Sequence, residues 1–465
     1  MLDRFQLVLI LNCIFIWRWG VQLSKGEDIG WTDHGKPDQT VLDKSICADI
    51  PAVMPRVYSA SITDFGAVGD GTTLNTDAFQ KAIFNLSTYS DQGGSTLHIP
   101  KGTWLTGSFN LTNHFTLYLE EGAVILGSQD PLQWPLIAPL PSYGRGRELP
   151  GPRHISLIYG ENLVDVVITG QNGTVDGQGS IWWAQFKSKT LDYTRGHLLE
   201  LNNSTNIVVT NITFLNSPFW TLHPVYCSNV FIKDVTILAP LNSPNTDGID
   251  PDSSSNICIQ DCYVRNGDDI ISIKSGWDEY GIAFNRPSQN IVIQHVVGET
   301  HTSSGIAFGS EMSGGIEHVY VEDLTILNAR RGIRFKTAAG RGGYIRNIDI
   351  NNVVMHNVTN AIEFTGFYGE HPDGHYNQTA FSIINRISIS NIVGDHITLA
   401  GNLQGLPEAP YTGICLNNVS LDVIPGKLVW NCSAVQGFSM DVVPEPCTEL
   451  RDENASSLCS AVCYR

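Results

Sequence analysis

The sequence predicts an all-β chain folded as a parallel β-helix, and three observations lead there. A phrase of the form Asn-Ile-x-Ile-x-Asn/Asp recurs as Asn206-Ile207-Val208-Val209-Thr210-Asn211, Asn229-Val230-Phe231-Ile232-Lys233-Asp234 and Asn256-Ile257-Cys258-Ile259-Gln260-Asp261, and returns at Asn290-Ile291, His318-Val319, Asn347-Ile348 and Arg386-Ile387. Short apolar runs rich in β-branched residues are bounded by Asn, Asp and Gly, the composition of strands and bends. The copies are spaced by roughly 23 to 39 residues, the period of a solenoid whose units bury their apolar faces by stacking on one another.

Along the chain, Arg4, an apolar stretch from Leu7 to Trp17 and Arg18 read as a secretory signal peptide over residues 1–20. The stretch falls short of the roughly 20 residues that span a bilayer; a signal anchor is the competing reading. Residues 21–56 look irregular. The β-helix is expected over residues 57–425, opening at Ser61-Ile62-Thr63-Asp64-Phe65. Ala78, Phe79, Ala82, Ile83 and Leu86 then fall on one helical stripe behind Asn75 or Thr76 as N-cap, a helix placed to cover the open end of the solenoid. Strands follow at residues 96–100, 116–119 and 124–126, then a long Pro/Gly loop over residues 128–155. Cys262 takes the place of Ile212 and Val235 in the repeat, so it reads as a buried core thiol. Residues 426–465 read as a Cys-rich C-terminal cap in which Cys432, Cys447, Cys459 and Cys463 form disulfides.

Composition narrows the partners. The chain has 465 residues, is 42% hydrophobic and carries a net charge of −18, which argues against nucleic acid. The same charge repels an anionic polysaccharide, so such a substrate requires a local basic site; Arg330, Arg331, Arg334, Lys336 and Arg341 supply a candidate. Eleven Asn-x-Ser/Thr sequons lie between Asn85 and Asn454, which with the signal peptide suggests a secreted glycoprotein of the extracellular space or cell wall, a monomer with no membrane partner once the signal is removed. No Cys/His spacing suggests zinc.

The chemistry-bearing residues are Asn245-Thr246-Asp247 and Gly267-Asp268-Asp269. Asp247 and Asp268 are 21 positions apart, about one coil, and stacked strands lie roughly 4.8 Å apart. Carboxylates distant in sequence therefore become neighbours, and paired carboxylates are the equipment of glycoside hydrolysis. Three packed together cannot all ionise cheaply, so one pKa should rise and supply the acid; an inverting site further calls for roughly 6.5–9.5 Å between acid and base. Strand alternation puts Arg334 and Lys336 on one face and Phe335 on the other. Acids at one end of a cleft and a cationic pair at the other suit an acidic sugar polymer.

The series Asn245-Thr246-Asp247, Gly267-Asp268-Asp269, Gly305-Ile306-Ala307-Phe308-Gly309-Ser310-Glu311 and Arg334-Phe335-Lys336, with Asp64 through Gly71 upstream and Arg341 through Ile345 downstream, resembles glycoside hydrolase family 28, the polygalacturonases, in its plant-type branch. The resemblance implies a right-handed parallel β-helix and inverting hydrolysis of α-1,4-galacturonosyl bonds in pectin, with no metal and no other cofactor. It makes Asp268 the general acid and Asp247 with Asp269 the residues that activate water. It makes Arg334 and Lys336 the ligands of the galacturonate carboxylate and Tyr368 a candidate substrate-binding tyrosine. The family's Gly-His-Gly is Ser303-Ser304-Gly305 here, so the histidine position is Ser304. His301 is either its substitute or a solvated loop histidine.

Other residues keep two readings. Lys274 either reaches the cleft or neutralises the acids. His223 either lines a subsite or belongs to a packed aromatic corner. Glu363 falls where a further coil faces the cleft. Asp250, Asp252 and Asp261 read as bend carboxylates that bond backbone N–H groups. Two other functions compete: a hydrolase of a related acidic backbone such as rhamnogalacturonan or xylogalacturonan, and a pectin-binding protein that has lost turnover, for which Ser304 speaks. A lyase needs a Ca²⁺ site and a cationic base, which the carboxylate set does not offer.

Overall fold

A computed structural model describes residues 44–48, 55–426 and 428–451. The signal peptide, most of the 21–56 segment, Cys459, Cys463 and Asn454 lie outside the described residues. The described chain is a right-handed parallel β-helix, the hand that connections between parallel strands take almost without exception.

Each coil gives a strand, a left-handed residue and often a second strand to a 19-stranded sheet. The polar ends of the recurring phrase are those left-handed residues: φ is 58° at Asn206 and 54° at Asn211, 56° at Asn229 and 52° at Asp234, 56° at Asn256 and 53° at Asp261. Asn and Asp visit this region more readily than other non-Gly residues. The bend amides also bond from coil to coil, Asn229 Nδ2 donating to Asn206 Oδ1 at 3.0 Å, Asn256 to Asn229 at 3.1 Å and Asn290 to Asn256 at 3.2 Å. Between the bends the apolar residues stack inward in register, Ile207 on Val230, Ile257, Ile291, Val319 and Ile348. A second stack runs Phe308–Phe335–Phe364, with ring centroids 4.5 and 4.2 Å apart. Truncating Phe335 to Ala would open a cavity at its centre, a change that costs about 3–5 kcal/mol.

Four- and six-stranded ladders, bridged through Ile249 between Leu222 and Ile271, form the face that carries the site. The capping helix spans Thr76–Ser87 and buries Ala78, Phe79, Ala82, Ile83 and Leu86, with Phe79 stacked on Phe109 at 4.5 Å. Asn75 stands at its N-cap without a side-chain capping bond. Its amide is engaged instead with Val68 N–H and with the carbonyls of Val68, Thr73 and Leu105, clamping the preceding loop to the next coil.

At the other end the ladder continues past residue 425: Trp430–Ser433 pairs with Leu399–Gln404 and Val435–Val443 with Tyr411–Val423. This coil lacks the Asn-Ile opening, which is why the repeat loses its sequence signature before the sheet ends. Cys432 is bonded to Cys447, and Cys227 and Cys262 are buried free thiols. A disulfide absent from the sequence expectations joins Cys47 to Cys258 across 211 residues. Cys258 lies on the outer face of its strand, in a small apolar cluster with Val208, Phe231 and Val292 that the Lys44–Cys47 segment covers.

Candidate active site

Register places the acids. Ile249 pairs with Ile271, Ile271 with Ile306 and Ile306 with Ile333, so the residues two positions before them come into line: Asp247, Asp269, Ser304 and Arg331. One carboxylate oxygen from each of Asp247, Asp268 and Asp269 lies within 4.8 Å of the others. This is tighter than the spacing expected of an inverting pair. The cause is that two acids are sequence neighbours and the third is one strand step away.

The three carboxylates differ sharply in environment. Asp269 is fully buried and held by three donors: Lys336 Nζ at 2.7 Å, Ser303 Oγ at 2.6 Å and the Ser304 N–H at 2.9 Å. Burial works against its charge, but Lys336, Arg334 and the hydrogen bonds keep it well below the usual carboxylate range. Asp268 is half-buried, and burial together with the neighbouring Asp269 charge pushes its carboxyl up. Burial, then Asp268 and Asp250, push Asp247 well above its ordinary value; its Oδ1 has no hydrogen-bond partner among the described residues. The Asp247/Asp268 pair therefore holds a proton at a pH where Asp269 is ionised. That proton belongs to the pair rather than to either member.

Lys274 satisfies both readings given for it. It is buried, 3.7 Å from Asp247, 3.5 Å from Asp250 and 3.4 Å from Glu311, and its ammonium lies 4.2 Å from the Trp220 ring centre. It also lines the pocket. Asp250 departs from the bend reading: it is fully buried, bonds no backbone group and is pushed up to about 7, chiefly by burial. Asp252 departs as well, accepting the Tyr143 hydroxyl at 2.6 Å. Asp261 does sit at a bend, with φ 53°.

Four of the five cations of the expected basic patch are engaged by carboxylates, while Arg330 is exposed. Arg331 and Arg334 both bond Glu363 Oε1 at 2.6 Å, Lys336 is paired with Asp269, and Arg341 is fully buried against Asp278. Alternation does put Phe335 inward and its neighbours outward, but the pleat that brings cations together also brings Glu363 into register with Arg334. Tyr368 closes this side, 5.5 Å from the Arg334 guanidinium and 5.6 Å from the Lys336 ammonium. His223 belongs to the packed corner and not to a subsite. It is buried, with Glu200 at 2.9 Å and Asp252 at 3.4 Å, and its ring packs against Trp220. His301 is exposed and lies 3.4 Å from Glu299.

A pocket of about 420 Å³ joins Asp247, Asp268, Lys274, Lys336 and Tyr368 with residues that sequence reasoning left out, among them Arg145, Arg147, Trp220, Glu311 and Glu370. Arg145 and Arg147 come from the loop over residues 128–155, whose Gly-Arg-Gly-Arg-Glu run was its one visible signal. Glu311 stood inside a quoted motif; burial opposes its charge, but Arg147, Lys274 and Lys336 hold it well below its ordinary range. Among possible cation ligands, the triad's oxygens converge, yet an ion there competes with the Lys336 ammonium. His197, Glu200 and His223 also converge, but Arg153 bonds both oxygens of Glu200.

Comparison with known proteins places this geometry. Residues 146–447 match the family described as glycosyl hydrolases family 28, and residues 59–118 match one described as rhamnogalacturonase A/epimerase, pectate lyase-like. A Vitis vinifera protein named "Probable polygalacturonase" is 50% identical over 413 residues, covering 88% of this chain and 84% of that one. The crystal structure of a Thermotoga maritima exopolygalacturonase superposes with a TM-score of 0.75 at 26% identity, covering 86% of this chain and 96% of that one. The Erwinia carotovora polygalacturonase shares the fold, with a TM-score of 0.66 at 24% identity over 83% of this chain and 98% of that one.

Proposed function

The chain belongs to glycosyl hydrolases family 28, and from that premise we propose that it hydrolyses α-1,4-galacturonosyl bonds of pectin with inversion, using Asp268 as general acid and Asp247 with Asp269 to activate water. The observation that carries this reading is the split within the triad: Asp269 is held ionised by three donors, while the adjacent Asp268 and Asp247 are lifted. Asp268 faces the pocket and gives its proton to the leaving glycosidic oxygen as the bond to the anomeric carbon breaks. Water, oriented by Asp269 and by the unpartnered Asp247 Oδ1, attacks that carbon from the other side and leaves its proton on the Asp247 and Asp269 carboxylates. Asp269 Oδ1 is filled by Ser303 and Ser304, while Oδ2 takes one bond from Lys336 and keeps an acceptor site for the water.

Lys336 has three N–H donors and spends one on Asp269, so it can also meet a galacturonate carboxylate, with Tyr368 alongside. The Ser303 hydroxyl on Asp269 supports activity without a histidine at position 304. Secretion to the cell wall is supported by the apolar N-terminal stretch and by the Cys47–Cys258 and Cys432–Cys447 disulfides, which form in oxidising compartments. No helix among the described residues is long and apolar enough to cross a membrane.

Incubation with polygalacturonate tests the proposal. Reducing ends should appear without unsaturated product, and the first-formed anomer, read by NMR, should be inverted. Asp268→Asn should lose on the order of 10²–10⁴ in rate while still binding substrate. Near-normal turnover in that variant, or an unsaturated product, would sink the assignment.

A further inference from the structure

The pocket is walled on one side by two segments far apart in sequence. Residues 142–148 leave an early coil and meet residues 370–373, which follow the Asn360–Thr365 strand. Arg145 Nη1 donates to the Pro372 carbonyl at 2.8 Å. Arg147 reaches Glu370 at 2.5 Å and Glu311 at 2.6 Å and lies 4.4 Å from the Trp277 ring centre. Between the segments stands Tyr280, whose hydroxyl bonds Asp373 at 2.8 Å. The loop crosses Tyr280 at Gly144, where a Cβ would fall 2.3 Å from the ring; only glycine lets the backbone pass there.

The wall is anchored rather than hinged. Ser142 bonds the Tyr226 hydroxyl at 2.7 Å, Tyr143 bonds Asp252 at 2.6 Å, and Glu148 holds Arg195 at 3.0 Å. A polymer lying in the cleft cannot run on through this side without breaking several of these contacts.

One cation on the wall differs from the rest. Lys274, Lys336, Arg147 and Arg334 each lie against a carboxylate of this chain. Arg145 instead donates only to backbone carbonyls among the described residues: Gly146 at 3.0 Å, Glu148 at 3.4 Å and Pro372 at 2.8 Å. A guanidinium has five N–H donors, so Arg145 keeps donors free at the pocket edge, with Asp373 acting on its charge without a hydrogen bond between them.

Resting on the hydrolase reading above, we infer that this wall makes the cleft blind and that Arg145 binds the carboxylate of the terminal uronate, so that the enzyme cuts from a chain end. A chain enters until its last sugar meets Arg145, and the bond presented to Asp268 is set by that contact.

The test follows viscosity and reducing ends together on polygalacturonate. Slow viscosity loss, with one short product size from the earliest times, is expected. Rapid viscosity loss with a ladder of oligomers would overturn the blind cleft while leaving the hydrolase reading intact. No reducing ends at all would overturn both. Arg145→Ala should raise KM for trigalacturonate about ten- to hundredfold, the loss of one charge-assisted bond, with kcat little changed and any fall in Tm reporting the lost Pro372 bond, and Arg145→Lys should recover part of the KM. An unchanged KM in a folded Arg145→Ala protein would remove Arg145 from the site. Should that variant not fold, the wild-type enzyme still decides: it should prefer oligomers with a free terminal carboxyl over those methyl-esterified there, and equal rates would refute the contact.

Discussion

Replacing Lys336 by Met keeps the stem of the side chain and removes the ammonium that lies 2.7 Å from Asp269 Oδ2. A charge-assisted hydrogen bond of this kind is worth roughly 1.5–3 kcal/mol, which corresponds to about one to two pKa units. Asp269 has a depressed pKa in the folded protein. Its contribution to stability is therefore present above the unfolded value of about 3.9 and lost as pH falls through the folded one. Without Lys336 the Asp269 carboxyl titrates higher. The acid limb of the kcat/KM profile, which reports the ionised base in free enzyme, should move up by about one to two pH units. The assay is a pH–rate profile of both proteins on oligogalacturonate, with thermal unfolding on the same samples. An acid limb that stays in place while KM rises would refute the reasoning, because Lys336 would then serve the substrate and exert no hold on Asp269.

Four further outcomes follow from the same structure. Ser303→Ala removes a second donor from Asp269 and should move the acid limb the same way by a smaller amount, whereas Ser304→His, at a fully buried position, should destabilise the fold through overpacking by about 1–3 kcal/mol, read as a lower Tm. Burial opposes charge on His223, but its bonds to Asp252 and Glu200 raise it to about 9; its stabilisation is full below about pH 6.5 and lost as pH rises through about 9, so denaturant titrations should show stability falling across that window and not in His223→Gln. The double replacement Cys47→Ser, Cys258→Ser should leave the β-helix folded yet open the Lys44–Cys47 segment to limited proteolysis.

The bends were legible because each one demands a left-handed residue, and Asn or Asp repeated at Asn206, Asn229 and Asn256 announces that demand. The acids were expected together for a related reason: a coil brings residues one period apart into line, which set Asp247 beside Asp268, whereas the register puts it opposite Asp269, one position on. Charge pairs across coils obey the same register, Glu363 lying opposite Arg334 and Glu200 opposite His223 on neighbouring strands. What the repeat did not announce is that these groups answer each other's charge. Arg145 and Arg147 were hidden more deeply, in a loop with no period, where contacts with residues 370–373 and, for Arg147, with Glu311 give them a place. Cys47 was unreadable because its partner Cys258 occupies an outward position that elsewhere carries Val208, Phe231 or Val292.

The amide ladder at the bends joins residues separated by 23, 27 and 34 positions through bonds of nearly equal length. Unequal coils thus share closely similar corners, and the difference in length is taken up between them. Such a scaffold separates two kinds of change. A deletion inside a rung would rotate every following side chain out of phase, while growth or shrinkage of a loop such as 128–155 would recontour the cleft and leave the acids where they are. Diversification of what the cleft admits is therefore open to insertion and deletion at little risk to folding, and the catalytic apparatus is insulated from that experimentation by the asparagines beneath it.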